Sequence, residues 1–372
     1  MKPFSLIAYV LISITLLVSS CANDDSSPPI DNFDRAKMDL LFSTLEERDL
    51  TMGAASIFKN GKEIYQKSFG MADLANTIAI NSQTKFKIGS ITKTFTAAMI
   101  MQLVEEGKLT LNTLLSDYYP EMPNSSVITT ENLLRHRSGL FNYTDDPDLL
   151  NWGTQPITET EFIERFTQYG TIHEPNVFST YSNTNYVILG FLIEKIDGKT
   201  YSEALKDRIT DPINLTNTYY FGETINTSNN ECLSYGYWND TWNLAPQIHA
   251  SVSAGSGSIM STPTDLNIFY NALFHGGIVS LSSLDEMTKS ISNIVCIGLF
   301  PNVIRIVKPD FGHYGAIDGF NSVTAYFPEE DLCMSYISSG INFQNSTDLE
   351  KFNLPYAPFD IYFGYNYTIP LE

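Results

Sequence analysis

Residues 86–107 (FKIGSITKTFTAAMIMQLVEEG) constrain the fold more than any other part of the chain, because they predict a helix that is apolar on every side. Hydrophobic residues recur at helical spacing over residues 90–106, and a glycine flanks the run at each end. A helix of this kind is buried in a larger core. Its first turn nevertheless carries Ser90 and Lys93, which lie on one face about one turn apart.

This pair of side chains has a chemical consequence. A buried ammonium group is costly, so Lys93 must be paired or its pKa must be lowered. An amine that loses its proton easily can accept the proton of a neighbouring hydroxyl, here that of Ser90. The free N–H groups of a helix N-terminus stabilise developing negative charge. The segment therefore predicts a nucleophile, a base and part of an oxyanion site, and the alternative is a helix-start serine beside a lysine that reaches solvent.

The Ser-x-x-Lys spacing alone is not specific, because the chain contains it three times. The pair Ser56–Lys59 lies in an alternating strand pattern, where positions i and i+3 point to opposite faces. The pair at residues 82–85 lies in a polar turn. Of the three pairs, that at residues 90–93 alone lies at the start of a buried helix. Whether this pair is catalytic or structural must be judged from the rest of the chain.

Composition sets the class of protein. The chain has 372 residues, 43% of them hydrophobic and 13% aromatic, which is enough for two domains or for one large domain with an insertion. It carries 22 basic and 42 acidic residues, a net charge of −20. This balance argues against nucleic acid or an anionic membrane surface as a partner, since neither is attracted to an acidic surface.

The N-terminus predicts targeting. Residues 1–20 have one early lysine and an apolar run too short to span a bilayer comfortably, as in a signal peptide. The run ends in Val18-Ser19-Ser20-Cys21, which resembles the bacterial lipoprotein lipobox. That resemblance implies lipidation of Cys21, a polar tether over residues 21–32, and a membrane-anchored protein of the cell envelope, periplasmic or surface-exposed. An ordinary signal peptide and an uncleaved anchor helix are the alternatives.

Three cysteines remain after residue 21: Cys232, Cys296 and Cys333. The number is odd, so at least one thiol is free or pairs between chains. None lies in a Cys-x-x-Cys or close His/Cys spacing, so we expect no metal and no cofactor. Small buried hydrophobic residues are the favoured interpretation.

Strand patterns occur near both chain ends and helical patterns between them. Strands are predicted at residues 54–59 and 63–71, around the hairpin signal Asn60-Gly61, and at 311–316, 321–327 and 333–339. Helices are predicted at residues 34–49, 90–106, 129–136, 159–169, 187–196, 201–209 and 264–275. A further helix at 348–362 would be broken by Pro355 and Pro358.

This order predicts an α+β fold. An antiparallel sheet built from both chain ends would be flanked by the terminal helices, with a mainly helical lobe inserted. We place the sheet lobe at residues 33–84 and 303–345, the helical lobe at 85–302, and a C-terminal extension of the sheet lobe at 346–372. A cleft between the lobes is the natural site. The aromatic residues of the turn-rich segment 232–254 either line that cleft or pack in the core or in a hairpin: Tyr235, Tyr237, Trp238 and Trp242.

Three further segments follow residues 90–93 in a recognisable order. They are LLRHRSGL at residues 133–140, Tyr181-Ser182-Asn183 entering a helix, and His313-Tyr314-Gly315 on a predicted strand. The order resembles the penicillin-recognising serine hydrolases, and it is most similar to their class C β-lactamase and D-alanyl-D-alanine carboxypeptidase branch, which includes esterases. The resemblance spans about residues 33–342, and a second Tyr-x-Asn at residues 237–239 shows that order and context carry it.

The resemblance implies roles for these residues. Ser90 would be the nucleophile that forms an acyl-enzyme, and Lys93 would accept or relay its proton. Unperturbed lysine and tyrosine both have pKa values near about 10, so one must be lowered to act near neutrality. A Tyr181 hydroxyl beside Lys93 would couple the two titrations, and we assign the base to this pair.

Substrate binding is implied for four more residues. Asn183 would orient the substrate amide and Lys93, and the backbone N–H of Ala316 would hold the oxyanion together with that of Ser90. Gly315 would leave room for a substrate lying along the strand. His313 stands where the family often has lysine, and its protonation is left open. His136, in the LLRHRSGL segment, is interpreted as structural.

Tyr314 departs from the family pattern, which has a small or hydroxyl residue there. Its phenol either points away from the cleft or crowds it, and both weaken the case for β-lactam or terminal D-alanine recognition. No Ser-Asp-Asn motif is present, which disfavours the class A β-lactamase mechanism. We expect a serine hydrolase acting on a D-amino-acid peptide or amide, for example a peptidoglycan-derived one, or on a small ester. A class C-like β-lactamase and a non-catalytic binding lipoprotein are the alternatives.

Overall fold

The computed structural model describes residues 33–222, 224–291, 295–304, 308–342, 356–365 and 367–369. The helices are α1 (Arg35–Glu47), α2 (Thr92–Glu105), α3 (Thr130–Leu134), α4 (Leu149–Trp152), α5 (Glu159–Tyr169), α6 (Asn183–Asp197), α7 (Tyr201–Leu205), α8 (Ala250–Gly257), α9 (Pro263–Phe274), α10 (Leu281–Thr288) and α11 (Ala357–Tyr362). The strands are β1 (Thr51–Lys59), β2 (Lys62–Phe69), β3 (Met71–Asp73), β4 (Ile78–Ala79), β5 (Phe86–Lys87), β6 (Tyr219–Tyr220), β7 (Tyr235–Trp238), β8 (Thr241–Leu244), β9 (Ile259–Ser261), β10 (Phe300–Pro301), β11 (Phe311–Ile317), β12 (Phe320–Phe327) and β13 (Leu332–Ile341).

Some predictions fall outside the described residues. The signal peptide, the lipidated cysteine and the tether belong to residues 1–32, and the first part of the predicted 348–362 helix belongs to residues 343–355. Within the described ranges, no helix combines the length and the hydropathy needed to cross a bilayer.

The main sheet is built from both chain ends, as the sequence predicts. Its strands follow the order β10-β11-β12-β13-β1-β2, and β1 pairs antiparallel with β13 from Thr51 opposite Ile341 to Lys59 opposite Leu332. Asn60 and Gly61, between β1 and β2, have φ values of 51° and 69°. These left-handed values are those of the predicted tight hairpin turn.

The terminal helices cover one face of this sheet. Helix α1 starts at the N-cap Asp34, whose side chain accepts from the backbone N–H of Lys37, as helix start signals require. Helices α1 and α11 and the sheet enclose one apolar core, which contains Phe42, Tyr336, Phe359 and other buried side chains. The α+β architecture expected from the order of the elements is therefore confirmed.

Helix α2 runs through a second, larger core on the other side of the sheet. Residues 92–101 of α2 are all buried, as the apolar pattern of the sequence predicts. Phe95 of α2 stacks on Phe269 of α9 with ring centroids 3.7 Å apart, and α9 in turn packs on β1 and β13. Close aromatic packing of this kind fixes α2 relative to the sheet.

Several helices differ from expectation: α4 and α10 were not predicted, and α7 ends at Leu205 rather than at residue 209. Helix α6 begins at Asn183, four residues earlier than predicted, because the polar residues of its first turn mask the apolar period. Helix α8 was not predicted, since its glycines, serines and alanines give no hydrophobic period, and Ala254 interrupts it with a φ of 37°.

The aromatic segment forms the hairpin β7–β8 and does not line the site cleft. Tyr237 packs edge-on against Trp242 with ring centroids 5.1 Å apart, and the Trp242 Nε1–H donates to Asp49 Oδ1 at 2.8 Å. Strand β7 pairs with the last residues of β13, so the hairpin extends the sheet. Of the two alternatives left open by the sequence, hairpin packing is the correct one.

Candidate active site

A cleft of about 700 Å³ opens where the first turn of α2, the start of α6 and strand β11 meet. Its lining includes six of the residues that the sequence selects: Ser90, Tyr181, Asn183, His313, Gly315 and Ala316. Segments more than 200 residues apart in the chain thus contribute to one cavity.

Ser90 lies in a short 3-10 turn, Gly89–Ile91, that leads into α2. Its Oγ is 3.0 Å from Lys93 Nζ and accepts a hydrogen bond from Tyr181 Oη at 2.8 Å. Gly89 has a φ of 51°, and a Cβ there would lie 2.8 Å from the backbone N of Ala316. The glycine therefore allows the serine turn and strand β11 to approach closely.

Lys93 is completely buried, and three groups surround its amine. Nζ lies 2.7 Å from Asn183 Oδ1, 2.8 Å from the Ser256 carbonyl and 3.0 Å from Ser90 Oγ. Two of these partners only accept, so a neutral amine uses its two N–H groups for them and keeps its lone pair for the Ser90 proton. Burial lowers the pKa of Lys93 well below its usual value. The amine is thus arranged to act as a base.

Tyr181 does not couple to Lys93 in the way expected from the sequence. Its hydroxyl contacts Ser90, and Lys93 Nζ lies over the ring, 4.9 Å from the centroid. Burial of the hydroxyl raises the pKa of Tyr181, although 37% of the residue is exposed. The phenol is therefore protonated at neutral pH, and the low pKa of this site belongs to Lys93 rather than to the tyrosine.

Asn183 is held by residues that sequence reasoning missed. Its side-chain amide donates to Thr144 Oγ1 at 3.0 Å and to Asn142 Oδ1 at 3.3 Å, and its backbone N–H donates to Asn142 Oδ1 at 2.9 Å. These contacts turn Oδ1 toward Lys93. Nothing in the spacing of residues 142–144 reveals the role, because it depends on how the loop folds back onto α6.

Strand β11 presents a free edge to the cleft. Strand β10 pairs with β11 only at residues 300–301, so within the described residues the edge beyond Gly312 has no further strand partner. At Gly315 a Cβ would lie 1.9 Å from the Ile88 carbonyl, so the protein's own backbone already requires glycine there. The expectation attributed this glycine to substrate passage alone, and the structure adds this nearer reason.

His313 is neutral in the folded protein. It is buried, its Nδ1 is 2.5 Å from the Tyr314 carbonyl, and burial lowers its pKa to about 3. Whenever Lys93 is protonated, its charge lowers the pKa of His313 further. Its ring packs 4.9 Å from that of Phe300, a cleft residue not selected from the sequence because strand β10 is only two residues long.

His136 supports the tyrosine from behind. Its ring lies 4.4 Å from that of Tyr181, and its Nδ1 accepts the backbone N–H of Ser182 at 3.1 Å. Burial lowers the pKa of His136 well below its usual value, so it is a neutral platform. This arrangement agrees with the structural interpretation given to the residue.

Tyr314 points away from Ser90. Its ring packs with the core under the terminal helices, and its hydroxyl lies 2.7 Å from Tyr356 Oη and also donates to the Val303 carbonyl. Strand alternation sends it to the face opposite His313 and Gly315. The phenol therefore does not crowd Ser90, although Tyr314 and Tyr356 both contribute to the lining of the cleft away from the serine.

Comparison with known proteins agrees with the geometry. The Beta-lactamase family model matches residues 38–349. Penicillin-binding protein PbpX of Bacillus subtilis (strain 168) is 28% identical over 303 residues, which cover 81% of this chain and 73% of that protein. The teichoic acid D-alanine hydrolase of Staphylococcus aureus is 29% identical over 227 residues, which cover 59% of this chain and about half of that enzyme, 53%.

A solved structure is also similar. The D-amino acid amidase of Ochrobactrum anthropi SV3, crystallised with L-phenylalanine amide, superposes with a TM-score of 0.72 at 26% identity. The alignment covers 88% of this chain and 97% of the amidase chain. The fold is therefore shared over almost the whole described structure.

The fold and the site define a serine hydrolase of the penicillin-recognising superfamily, in which a helix-start serine faces a sheet edge across a cleft. The chain belongs to the Beta-lactamase family. Enzymatic function, expected from the sequence, is confirmed by this membership, and the non-catalytic alternative is set aside.

Proposed function

We propose that this protein cleaves D-aminoacyl amides or esters through an acyl-enzyme on Ser90. The observation that carries the proposal is the Ser90 hydroxyl, held 3.0 Å from the buried Lys93 amine and 2.8 Å from the Tyr181 phenol. A nucleophile needs an adjacent base, and a base that is neutral near pH 7 is efficient.

Acylation follows from these contacts. The Ser90 proton passes to Lys93 Nζ while Oγ attacks the substrate carbonyl carbon. The resulting oxyanion lies between the backbone N–H groups of Ser90 and Ala316. The C–N or C–O bond then breaks, and the leaving group takes the Tyr181 hydroxyl proton. The phenolate forms next to the Lys93 ammonium, which stabilises it.

Deacylation reverses the proton path. A water molecule attacks the acyl carbon and gives its proton to the Tyr181 phenolate. When the second tetrahedral intermediate breaks down, Ser90 Oγ takes back the proton from Lys93. Serine, lysine and tyrosine return to their starting states, so the net reaction is hydrolysis of one amide or ester bond.

The substrate class rests on the relatives and on the cleft. Two similar proteins bear names that specify D-amino acid amides and D-alanine carried by teichoic acid. The free edge of β11 offers backbone groups to an extended acyl donor, while Phe300 and the neutral His313 form a wall without formal charge. Since this wall supplies no cation to pair with a carboxylate, these features support an acyl donor that carries no carboxylate.

Location and organisation form part of the proposal. We place the protein in the cell envelope, lipidated at Cys21 after removal of residues 1–20 and tethered by residues 21–32. The serine hydrolase domain would occupy residues 33–345, with a sheet lobe at 33–84 and 303–345, a helical lobe at 85–302 and a C-terminal extension at 346–372. Globomycin-sensitive processing and palmitate labelling lost in Cys21→Ala would test the anchor.

Enantiomeric anilides test the activity. The D-alanine p-nitroanilide should be hydrolysed faster than the L-enantiomer, and a fluorophosphonate probe should label the protein. Ser90→Ala should abolish both signals. The matched control is Ser82→Ala, which removes the serine of another Ser-x-x-Lys sequence at an exposed turn and should change neither.

The same variants separate the alternatives. Equal turnover of both enantiomers would contradict the D-specific proposal. Rapid nitrocefin hydrolysis that depends on Ser90 would favour the class C-like β-lactamase instead. A folded protein labelled by neither the fluorophosphonate nor a fluorescent penicillin would refute the Ser90 mechanism.

A further inference from the structure

A buried ion pair lies behind the active site. Lys87 Nζ is 2.8 Å from Asp318 Oδ2, and the two side chains are 1% and 0% exposed. Both also bind the same backbone unit: Asp318 Oδ1 accepts the Ile248 N–H at 2.8 Å, and Lys87 Nζ donates to the Ile248 carbonyl at 3.2 Å. Lys87 Nζ further lies 4.4 Å from the centroid of the Phe221 ring.

The pair joins β5, which leads into the turn that carries Ser90, to the end of β11, which carries Ala316. Lys87 is the last residue of β5, three residues before Ser90, and Asp318 follows the end of β11, two residues after Ala316. These strands are not paired with each other in a ladder, because β5 pairs with β9 and β11 with β12. The distance between the two N–H donors therefore depends on contacts outside the sheet ladders.

One such contact is direct backbone packing. A Cβ on Gly315 would meet the Ile88 carbonyl at 1.9 Å, and that carbonyl also accepts from Ser322 Oγ at 2.9 Å. A Cβ on Gly89 would meet the Ala316 backbone N at 2.8 Å. The two segments touch without any side chain between them, so a small shift of either strand changes the site directly.

The segment that contains Ile248, which both members of the ion pair bind, also leads to the active site. Ile248 lies two residues before helix α8, whose Ser256 carbonyl accepts from Lys93 Nζ at 2.8 Å. The path between them includes Ala254, which is held at a φ of 37°, a strained value for a residue with a side chain. A segment keeps a strained backbone conformation of this kind only when contacts with its neighbours hold the segment in place.

We propose that the Lys87–Asp318 ion pair is a positioning device for catalysis. It holds the serine turn, the edge strand and the start of α8 at fixed positions relative to one another. The ion pair thereby sets the distance between the Ser90 and Ala316 N–H donors. The inference rests on the proposed acyl-enzyme mechanism. Preorganised donors lose their effect when displaced, and a misplacement of about 1 Å can lower a rate about 100-fold.

The buried charges of Lys87 and Asp318 depend on each other. Burial lowers the pKa of Lys87, and the charge and hydrogen bond of Asp318 oppose this shift. Removal of one partner would leave the other charge buried and unpaired, which destabilises a fold strongly. A test must therefore remove both charges together or keep both.

Two variants satisfy this condition. Lys87→Met/Asp318→Asn removes both charges while the asparagine still accepts the Ile248 N–H and tolerates the φ of 54° at this position. Asp318→Glu keeps both charges but moves the β11–β12 turn by one methylene. In each, we expect the single-turnover acylation rate of a D-alanine thioester to fall about 10- to 100-fold with KM changed less than about 3-fold.

The matched control is a second, mostly buried ion pair. Arg208 Nε lies 2.5 Å from Asp197 Oδ2, at 11% and 9% exposure, and neither residue lines the cleft. Arg208→Met/Asp197→Asn should lower thermal stability and leave acylation unchanged. A purely structural role for Lys87 and Asp318 predicts the same behaviour in both pairs, so this split between rate and stability identifies a positioning role.

Failure of the positioning role can be distinguished from failure of the proposed acyl-enzyme mechanism. If wild-type protein forms the Ser90 acyl-enzyme and either variant of the Lys87–Asp318 pair acylates at the wild-type rate, the positioning role is wrong while the mechanism stands. If the double variant does not fold, Asp318→Glu decides by the same criterion. If wild-type protein forms no acyl-enzyme, the proposed function fails and this inference falls with it.

Discussion

Substitution of Lys93 gives the sharpest test of the mechanism. The amine is fully buried, its two N–H groups face the Asn183 and Ser256 oxygens, and its lone pair faces Ser90 Oγ at 3.0 Å. Lys93→Met has a similar volume and no lone pair of comparable basicity. Loss of a positioned general base lowers a rate about 10²- to 10⁴-fold, or about 2.7–5.4 kcal/mol in activation free energy.

Lys93→Arg distinguishes a base from a cation at this position. A guanidinium keeps its positive charge at every accessible pH and cannot accept the serine proton. We therefore expect Lys93→Arg to be as inactive as Lys93→Met in single-turnover acylation. The control Lys59→Arg changes a half-buried lysine that bonds to Glu330, far from the cleft, and should keep full activity.

The pH profile provides an independent check on the same residue. Because burial lowers the pKa of Lys93 from its usual 10.5, its neutral form predominates well below that pH. The acylation rate should therefore reach its plateau well below pH 10.5 and fall as the pH drops through the lowered pKa of Lys93. A rate that rises tenfold per pH unit up to pH 10, or a Lys93→Arg variant with more than about a tenth of wild-type activity, would refute the reasoning.

Three further predictions concern the site and its frame. Tyr181→Phe should lower kcat/KM about 100-fold with the melting temperature little changed, because the ring keeps its contact with His136 while the proton donor is lost. Gly315→Ala should lower the melting temperature in calorimetry, since its Cβ would lie 1.9 Å from a backbone carbonyl. The His313 ring, whose pKa burial lowers to about 3, should show no NMR titration between pH 5 and 8, and a midpoint near 6.5 would contradict its burial.

Much of the fold was predictable because it depends on local patterns. The turn at Asn60-Gly61, helix α5 (Glu159–Tyr169) with its Thr158 capping box, and the strands near both ends follow from turn chemistry, capping and periodicity. Helix α8 was not predictable, since small residues give no hydrophobic period and its path is fixed by packing around Lys93.

The placement of Ser90 and Lys93 on one face of a buried helix was settled by the sequence itself, because helical periodicity alone brings positions i and i+3 together. The protonation state of the Lys93 amine was not settled by the sequence. Its low pKa comes from complete burial, and its hydrogen-bond partners come from segments 90 and 163 residues away. Likewise, the buried pair Lys87–Asp318 spans 231 residues, and only the folded chain brings its two charges out of water and into contact. Local spacing therefore determined which groups this protein can use, and tertiary packing decided their protonation and their mutual distances, because desolvation and long-range contacts exist only after the chain has folded.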